Sequence, residues 1–558
     1  MGASWNTAAM VMNIKMPNNQ WQLLPFVHNY DGLMETLRKN GYDYGGSDPQ
    51  SFLWAYDWRD RLSVMSAELD TFINKKVKMD EKVELVGHSL GGLVARIWYQ
   101  SHTNDPRIDS LITLGSPHQG DIKSYEFWAS GLVPSDWGAK AVAMNILMET
   151  QKAMYLTTTN MVRTVVPSLR DINPTFDFIK NNQGIVAWSK TSGANDYLDT
   201  ENALLNSSIV SKVDTIVAHG PETKRFMITQ EPSIIDKGLM RWPDGKPSSY
   251  VYDAGDGSVL DISAQLSGAT VGRVSALHTD MVDPSIPHIL DYLNIPSNYI
   301  SQSPPSITDG SLVFFIGSPA YLEVLCDSLP LQRSDAMGFV VVANARNTKC
   351  QEKVVGTGSG TYHLVSGVVG SSSDWHYSEG SITNGAIEYY TVTVADGNLS
   401  VLTSSDQSYD LIMHDIALLK TNPLFRSNRY LQNAERSFGR KNIDELLDSI
   451  FEFRKKTGEF QISDRIIENS TTILTLKFKN SSRGMAKAML MAANINHRFV
   501  KMRLALLTSG HRSLSIRRAH SYELSEYYFN QLQRNYNSEN YSGVVAITQV
   551  IESLLREI

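Results

Sequence analysis

One stretch of the chain has residue types and spacing suited to covalent chemistry. Val83-Glu84-Leu85-Val86 is a largely apolar, β-branched run, Gly87-His88-Ser89-Leu90-Gly91 follows it, and Gly92-Leu93-Val94 continues into an apolar helix with Ile97 and Trp98. A Gly-x-Ser-x-Gly turn between a strand and a helix is a nucleophile elbow. So sharp a turn puts the serine in a strained backbone conformation, and glycines two residues to either side leave room for it. Ser89 is therefore the candidate nucleophile. The N–H of Leu90, first in the helix, is the candidate oxyanion donor, because negative charge developing on a carbonyl oxygen would sit against the helix N-terminus. The competing reading is a chance five-residue match, and the flanking strand and helix argue against it.

A serine nucleophile needs a base and an acid that orients the base, and behind an elbow these follow in the order Ser, Asp or Glu, His. Asp256 in Gly255-Asp256-Gly257-Ser258-Val259 lies just after the strand-like Tyr250-Val251-Tyr252, in a tight loop that can present a carboxylate. An ordinary Asp-Gly turn is the alternative, and Asp253 and Asp261 are rivals. Of the 13 histidines, His278 in Ala276-Leu277-His278-Thr279-Asp280-Met281 follows Asp256 and precedes the apolar run Ile289, Leu290, Leu293. His288 sits after Pro287 at or inside that helix, where packing or capping suits it better; His88 is the variable residue of the elbow, and His118 follows another strand. The expected triad is Ser89, Asp256 and His278.

Taken together, these motifs resemble the lecithin:cholesterol acyltransferase-like lipases and phospholipases. The resemblance is carried by Gly87-His88-Ser89-Leu90-Gly91-Gly92, Tyr56-Asp57-Trp58-Arg59, Gly255-Asp256-Gly257-Ser258, His278-Thr279-Asp280-Met281 and Leu114-Gly115-Ser116-Pro117-His118-Gln119-Gly120, in that family's order, over residues 1–295. It implies an α/β-hydrolase fold acting on carboxylic esters of lipids, with Ser89, Asp256 and His278 as the triad. The family also places a strand and a Pro-Gly or His-Gly oxyanion loop before the first helix, which here is marked by Tyr30, Leu33 and Leu37 and closed by Gly41. No such strand or loop precedes it, although Met1-Gly2-Ala3-Ser4-Trp5 is similar to the end of such a loop. The expectation is a chain that begins inside that loop, set against the reading of five ordinary leading residues. On that expectation the absence of a leader says nothing of destination; the location stays open, with an extracellular or cell-envelope one expected if the amino terminus is truncated.

The elements that must position these residues are legible in outline. Helix 62–75 carries Leu62, Met65, Leu69, Phe72 and Ile73 on one face; Ile108–Leu114 reads as a strand, and Thr215-Ile216-Val217 as another. Strands alternating with amphipathic helices from 1 to 298 predict a mostly parallel sheet. Between 121 and 249 that rhythm is broken for longer than a connection allows, which predicts an inserted lid. Its candidate acyl-covering element is a helix with Ala141, Met144, Ile146, Leu147 and Met148, capped by Ser135 or Asp136; a fully buried cap helix is the alternative reading. Beyond the Pro/Ser linker at 296–306, residues 307–412 show short runs split by Gly, Ser and Asn, the pattern of an immunoglobulin-like β-sandwich. Residues 416–558 read as mainly helical, with a strand-like 472–478 and a stripe of Leu446, Leu447, Ile450 and Phe451.

Charge follows the same division. The last 143 residues hold 22 of the 51 Lys and Arg and 13 of the 58 Asp and Glu, a net of +9, against −16 for residues 1–415. The basic residues are spread along helices, so a solvated helical face is the leading reading and nucleic acid is not an expected partner. No run approaches the ~18 apolar residues of a membrane span, although transient contact with a lipid interface suits the expected substrate. The glycine-rich 356–362 lacks the following helix and Lys-Ser/Thr of a phosphate-binding loop. Cys326 and Cys350 are equally compatible with a disulfide and with two thiols. No cofactor or metal is needed. An acyl-serine released to water makes a hydrolase and one released to an alcohol makes an acyltransferase; water is the default acceptor.

Overall fold

The computed structural model describes residues 2–470, apart from 45–48 and scattered shorter gaps, the larger of them within 135–156, 371–373 and 403–469. The expected strand at 472–478, most of the basic region and the Ser135 or Asp136 cap lie outside the described residues. Among those described, no helix is long and apolar enough to cross a membrane. The chain forms two compact units, one comprising Met1–Ser318, Ser334–Arg346 and Thr361–Ser381, the other Pro319–Arg333, Asn347–Gly360 and Ile382–Ile558.

The first unit is built on four parallel strands: β1 (Val83–His88), β2 (Ile108–Leu114), β3 (Val213–His219) and β4 (Thr270–Ser275), ordered β4-β3-β2-β1. Side chains alternate across a strand, so each sends residues into two cores. On one face Leu111 and Val213 join Leu93, Val94 and Ile97 of helix Leu90–Ser101 and Leu62, Met65 and Leu69 of helix Leu62–Lys76. On the other, Ile112, Leu114, Ile216 and Ala218 meet Ile286, Ile289 and Leu290 of helix Val282–Tyr292 and Leu33 of helix Asp31–Lys39. This arrangement is α/β-hydrolase-like. β1 forms one edge of the sheet among the described residues. β4, which leads into His278, was not anticipated from the sequence: Val271, Gly272 and Val274 give only a weak alternation.

Residues 121–249, where an inserted lid was expected, also hold β3 of the parallel sheet, and the rest of their content differs from a simple lid. They supply strands Ile179–Asn181 and Gly184–Val186, which form a separate sheet with Thr223–Gln230 and Lys246–Asp253. The strand-like 250–252 therefore belongs to this second sheet. Helix Ala141–Gln151 is not an amphipathic cover: Val142, Ala143, Met144 and Ile146 are completely buried, and the Gln151 amide donates to the carbonyls of Met10 and Val11. The methionines fill core, as the buried-helix reading has it.

Strands Phe339–Val342, Leu312–Gly317, Gly360–Val368 and Trp375–Ile382 form a sheet whose first three strands are antiparallel. Phe315 and Phe339 from it stand edge-on to Trp5 at 5.2 and 5.1 Å, so this sheet falls with the first unit despite the linker at 296–306. In the second unit, antiparallel strands Gln332–Arg333, Ala320–Cys326, Thr348–Gly356, Ile387–Ala395 and Asn398–Leu402 make a five-stranded sheet. Cys326 and Cys350 lie directly opposite in it and are disulfide-bonded. Helices Ser405–Thr421, Arg429–Gly439 and Ile443–Thr457 share a core of Ile416, Leu419, Leu431, Leu446, Leu447, Ile450 and Phe453.

Candidate active site

Ser89 stands between β1 and helix Leu90–Ser101 with φ 55° and ψ −125°, far from any conformation favoured by an L-residue. Such a backbone costs about 1–3 kcal/mol and persists only where its surroundings over-determine it. Here the Ser89 N–H donates to Leu114 O at 2.8 Å, and Ser89 O accepts from the Gly92 and Leu93 N–H groups. The glycine requirement differs in detail from expectation. Gly87 and Gly92 interlock, so that a side chain on Gly87 would strike Gly92 and one on Gly92 would strike Ser116 Oγ, whereas Gly91 faces the Tyr56 hydroxyl at an ordinary 3.5 Å. Leu90 opens the helix, in the first turn, where backbone N–H groups lack an intrahelical acceptor.

The three expected site residues come together although they lie far apart in sequence. His278 Nε2 is 2.9 Å from Ser89 Oγ, and His278 Nδ1 is 2.7 Å from Asp256 Oδ2. Asp256 and His278 are buried, while Ser89 keeps partial exposure. Asp256 sits in the loop leading from Asp253 to the short helix Asp261–Ala264, and His278 in the loop between β4 and helix Val282–Tyr292. The two loops are tied by the His278 N–H donating to Asp256 O at 2.9 Å. Asp256 Oδ1 accepts from the Ser258 and Val259 N–H groups at 2.9 and 2.7 Å, and Thr223 Oγ1 accepts from Gly257 N–H at 2.8 Å. Burial alone would raise the Asp256 pKa; His278 and the two backbone donors outweigh it and hold the carboxyl below its ordinary range. Gly115 has φ 53°, and a side chain there would lie 3.0 Å from Asp256 Oδ2 and 3.2 Å from His278 Nδ1, so no side chain is tolerated behind the pair.

The rivals are engaged elsewhere. Asp261 lies 3.1 Å from His219 Nδ1 and 3.5 Å from Arg273 Nη1, and Asp253 accepts from the Ala254 N–H. His288 is inside helix Val282–Tyr292, its ring 6.3 Å from that of Tyr292. His118 is buried with Nε2 3.2 Å from Thr113 Oγ1, and burial with the neighbouring Arg96 charge pushes its pKa well below the usual histidine value. His88 contacts His278 rather than Ser89: its Nε2 is 2.9 Å from the His278 carbonyl oxygen, and its Nδ1 is 3.1 Å from the Tyr30 hydroxyl. Neither Tyr30 nor Thr223 was legible as part of the site, since nothing local marks a residue that acts across loops.

The family model for palmitoyl protein thioesterase matches residues 54–183, a span that includes the elbow. No curated protein matches the chain. Among solved structures, the mature form of the Bacillus licheniformis lipase BlEst2 is similar over 48% of this chain and 86% of its own, at 16% identity and a TM-score of 0.26. Phospholipase PlaB from Legionella pneumophila is similar over 65% of this chain and 89% of its own, at 11% identity and a TM-score of 0.19.

Proposed function

We propose that this protein is a serine hydrolase that cleaves carboxylic esters of lipids through an acyl-serine intermediate. The observation that carries the proposal is the continuous hydrogen-bonded path Ser89 Oγ, His278 Nε2, His278 Nδ1, Asp256 Oδ2. His278 takes the Ser89 proton as the hydroxyl attacks the ester carbonyl, then gives it to the departing alcohol; Asp256 fixes the tautomer and stabilises the imidazolium. The Leu90 N–H at the helix start faces the charge that develops on the carbonyl oxygen. Water then attacks the acyl-serine and His278 again serves as base. The lipid class of the substrate rests on the likeness of the five motifs to lecithin:cholesterol acyltransferase-like lipases. Partners beyond a lipid ester are not required, and contact with a lipid interface is part of the same proposal.

A second reading is favoured by the match of residues 54–183 to palmitoyl protein thioesterase: a long-chain acyl thioester as substrate. The same triad serves, because only the leaving atom changes. Ser89→Ala should abolish both turnover of p-nitrophenyl acyl esters and labelling by a fluorophosphonate probe. Labelling that persists in that variant removes Ser89 from the mechanism. Relative kcat/KM on matched palmitoyl oxygen and sulfur esters decides between the two readings.

A further inference from the structure

His88 is the variable residue of the elbow, and the triad leaves it without a role. Its ring centre lies 5.0 Å from that of His278, yet it is not placed as a second base. Nε2 faces the His278 carbonyl oxygen, 2.9 Å away, and a carbonyl only accepts, so Nε2 carries the hydrogen. In a neutral ring Nδ1 is then the acceptor, and the Tyr30 hydroxyl, 3.1 Å away, donates to it. Desolvation pushes the Tyr30 hydroxyl up to about 12, so it retains its proton at neutral pH. The path runs one way: Tyr30 O–H to His88 Nδ1, then His88 Nε2–H to the His278 carbonyl.

The neighbouring backbone is held as well. The His278 N–H donates to Asp256 O at 2.9 Å, and the Asn29 side-chain amide donates to the carbonyl of Thr279. His278 lies in a loop, where ring direction follows the peptides on either side. A swing of about 1 Å at a reacting atom is enough to cost a large factor in rate.

We propose that His88 is a positioning residue for His278: held in one tautomer by Tyr30, it clamps the His278 carbonyl and keeps the imidazole Nε2 within reach of Ser89 Oγ. This rests on the triad reading above and deepens it. The residue before the serine thereby couples the nucleophile turn to the base loop across 190 residues.

The test uses the full chain, the second-order rate of fluorophosphonate labelling, and kcat and KM on p-nitrophenyl butyrate, with melting curves run alongside. His88→Leu should lower kcat and the labelling rate about tenfold with KM within about twofold, the scale of one lost hydrogen bond. His88→Gln, whose amide N–H can reach the same carbonyl, should recover most of that loss. Tyr30→Phe should lower both rates about threefold, since it frees the tautomer but leaves the clamp. Wild-type rates in His88→Leu, or a His88→Gln variant as slow as His88→Leu at equal melting temperature, overturn the proposal. Should His88→Leu not fold, Tyr30→Phe decides, and a wild-type rate there overturns it. Persistent labelling of Ser89→Ala sinks the triad itself, whereas an unlabelled Ser89→Ala beside a fast His88→Leu sinks only this inference.

Discussion

Asp57–Arg59 and Asp256–His278 are both carboxylate pairs sealed inside the same compact unit, with side-chain exposures of 5% and 6% in the first and 1% and 4% in the second. Both come from motifs that the sequence singles out. In the first, Arg59 Nε and Nη2 grip both Asp57 oxygens at 2.8 and 2.7 Å, and Nη1 reaches Ala9 O and Asn13 Oδ1 at 2.8 and 3.2 Å. Its donors are spent on tying the amino-terminal segment to the body of the unit. In the second, Asp256 uses one oxygen on backbone donors and the other on Nδ1, which leaves Nε2 of the base turned to a serine hydroxyl. Burial and charge are common to both. On the proposed function, what separates a chemical site from a clasp is an atom left over and aimed at the serine hydroxyl.

The largest expected effect tests that distinction directly. Asp256→Asn keeps an oxygen for Ser258 and Val259 but offers an N–H to Nδ1, forcing the wrong imidazole tautomer. kcat should fall about 10⁴-fold, about 5.5 kcal/mol in barrier, with the melting curve still cooperative. A fall under tenfold would reduce Asp256 to the status of Asp57. Arg59→Met should do the reverse. It strands the buried Asp57 carboxylate and should cost about 3–5 kcal/mol of stability, while the labelling rate per folded molecule stays at the wild-type value. A slower folded fraction would show that the clasp reaches the site.

Acid sharpens the comparison. The Asp256 carboxyl is held below its ordinary value of about 3.9. The stability it contributes is therefore fully present above that value and is lost as pH falls through the folded-state value. Wild type should lose its stability margin over Asp256→Asn below about pH 4, measured as the difference in melting temperature along a pH series. A difference that stays constant into strong acid would mean that the carboxyl is not held as described. The smallest effect belongs to the rival acid. Asp261→Asn loosens contacts with His219 and Arg273, both more than half exposed, so stability should change by at most about 1 kcal/mol, with kcat within about twofold. A loss of kcat comparable to that of Asp256→Asn would exchange the two aspartates.

The elbow was legible because its chemistry is local: strand, glycines, serine and helix occupy twelve consecutive residues, and their backbone conformation follows from sterics. Strand β2 was legible for a similar reason, since its β-branched and apolar residues bury against helices on both faces. Helix Ala141–Gln151 was harder, because a helix apolar on all sides reads alike whether it fills a core or covers a ligand. The choice was made by Met10, Val11 and the neighbouring helices. The sheet that Phe315 and Phe339 join fell with the first unit for a reason no linker shows: Trp5 packs against it.

The sequence by itself determined the candidate nucleophile Ser89 and the Leu90 N–H beside it, because both depend on neighbours within a few residues. The sequence also favoured Asp256 and His278 but left Asp253, Asp261 and His288 as rivals; the tertiary structure brings the favoured two to 2.7 Å across 22 residues, a contact that depends on where strand Lys246–Asp253 and β4 end. The tertiary structure also brought His88 to the carbonyl of His278 and Tyr30 to His88. No spacing encodes that contact: it exists only when the edge strand, the amino-terminal helix and the base loop are folded onto one another.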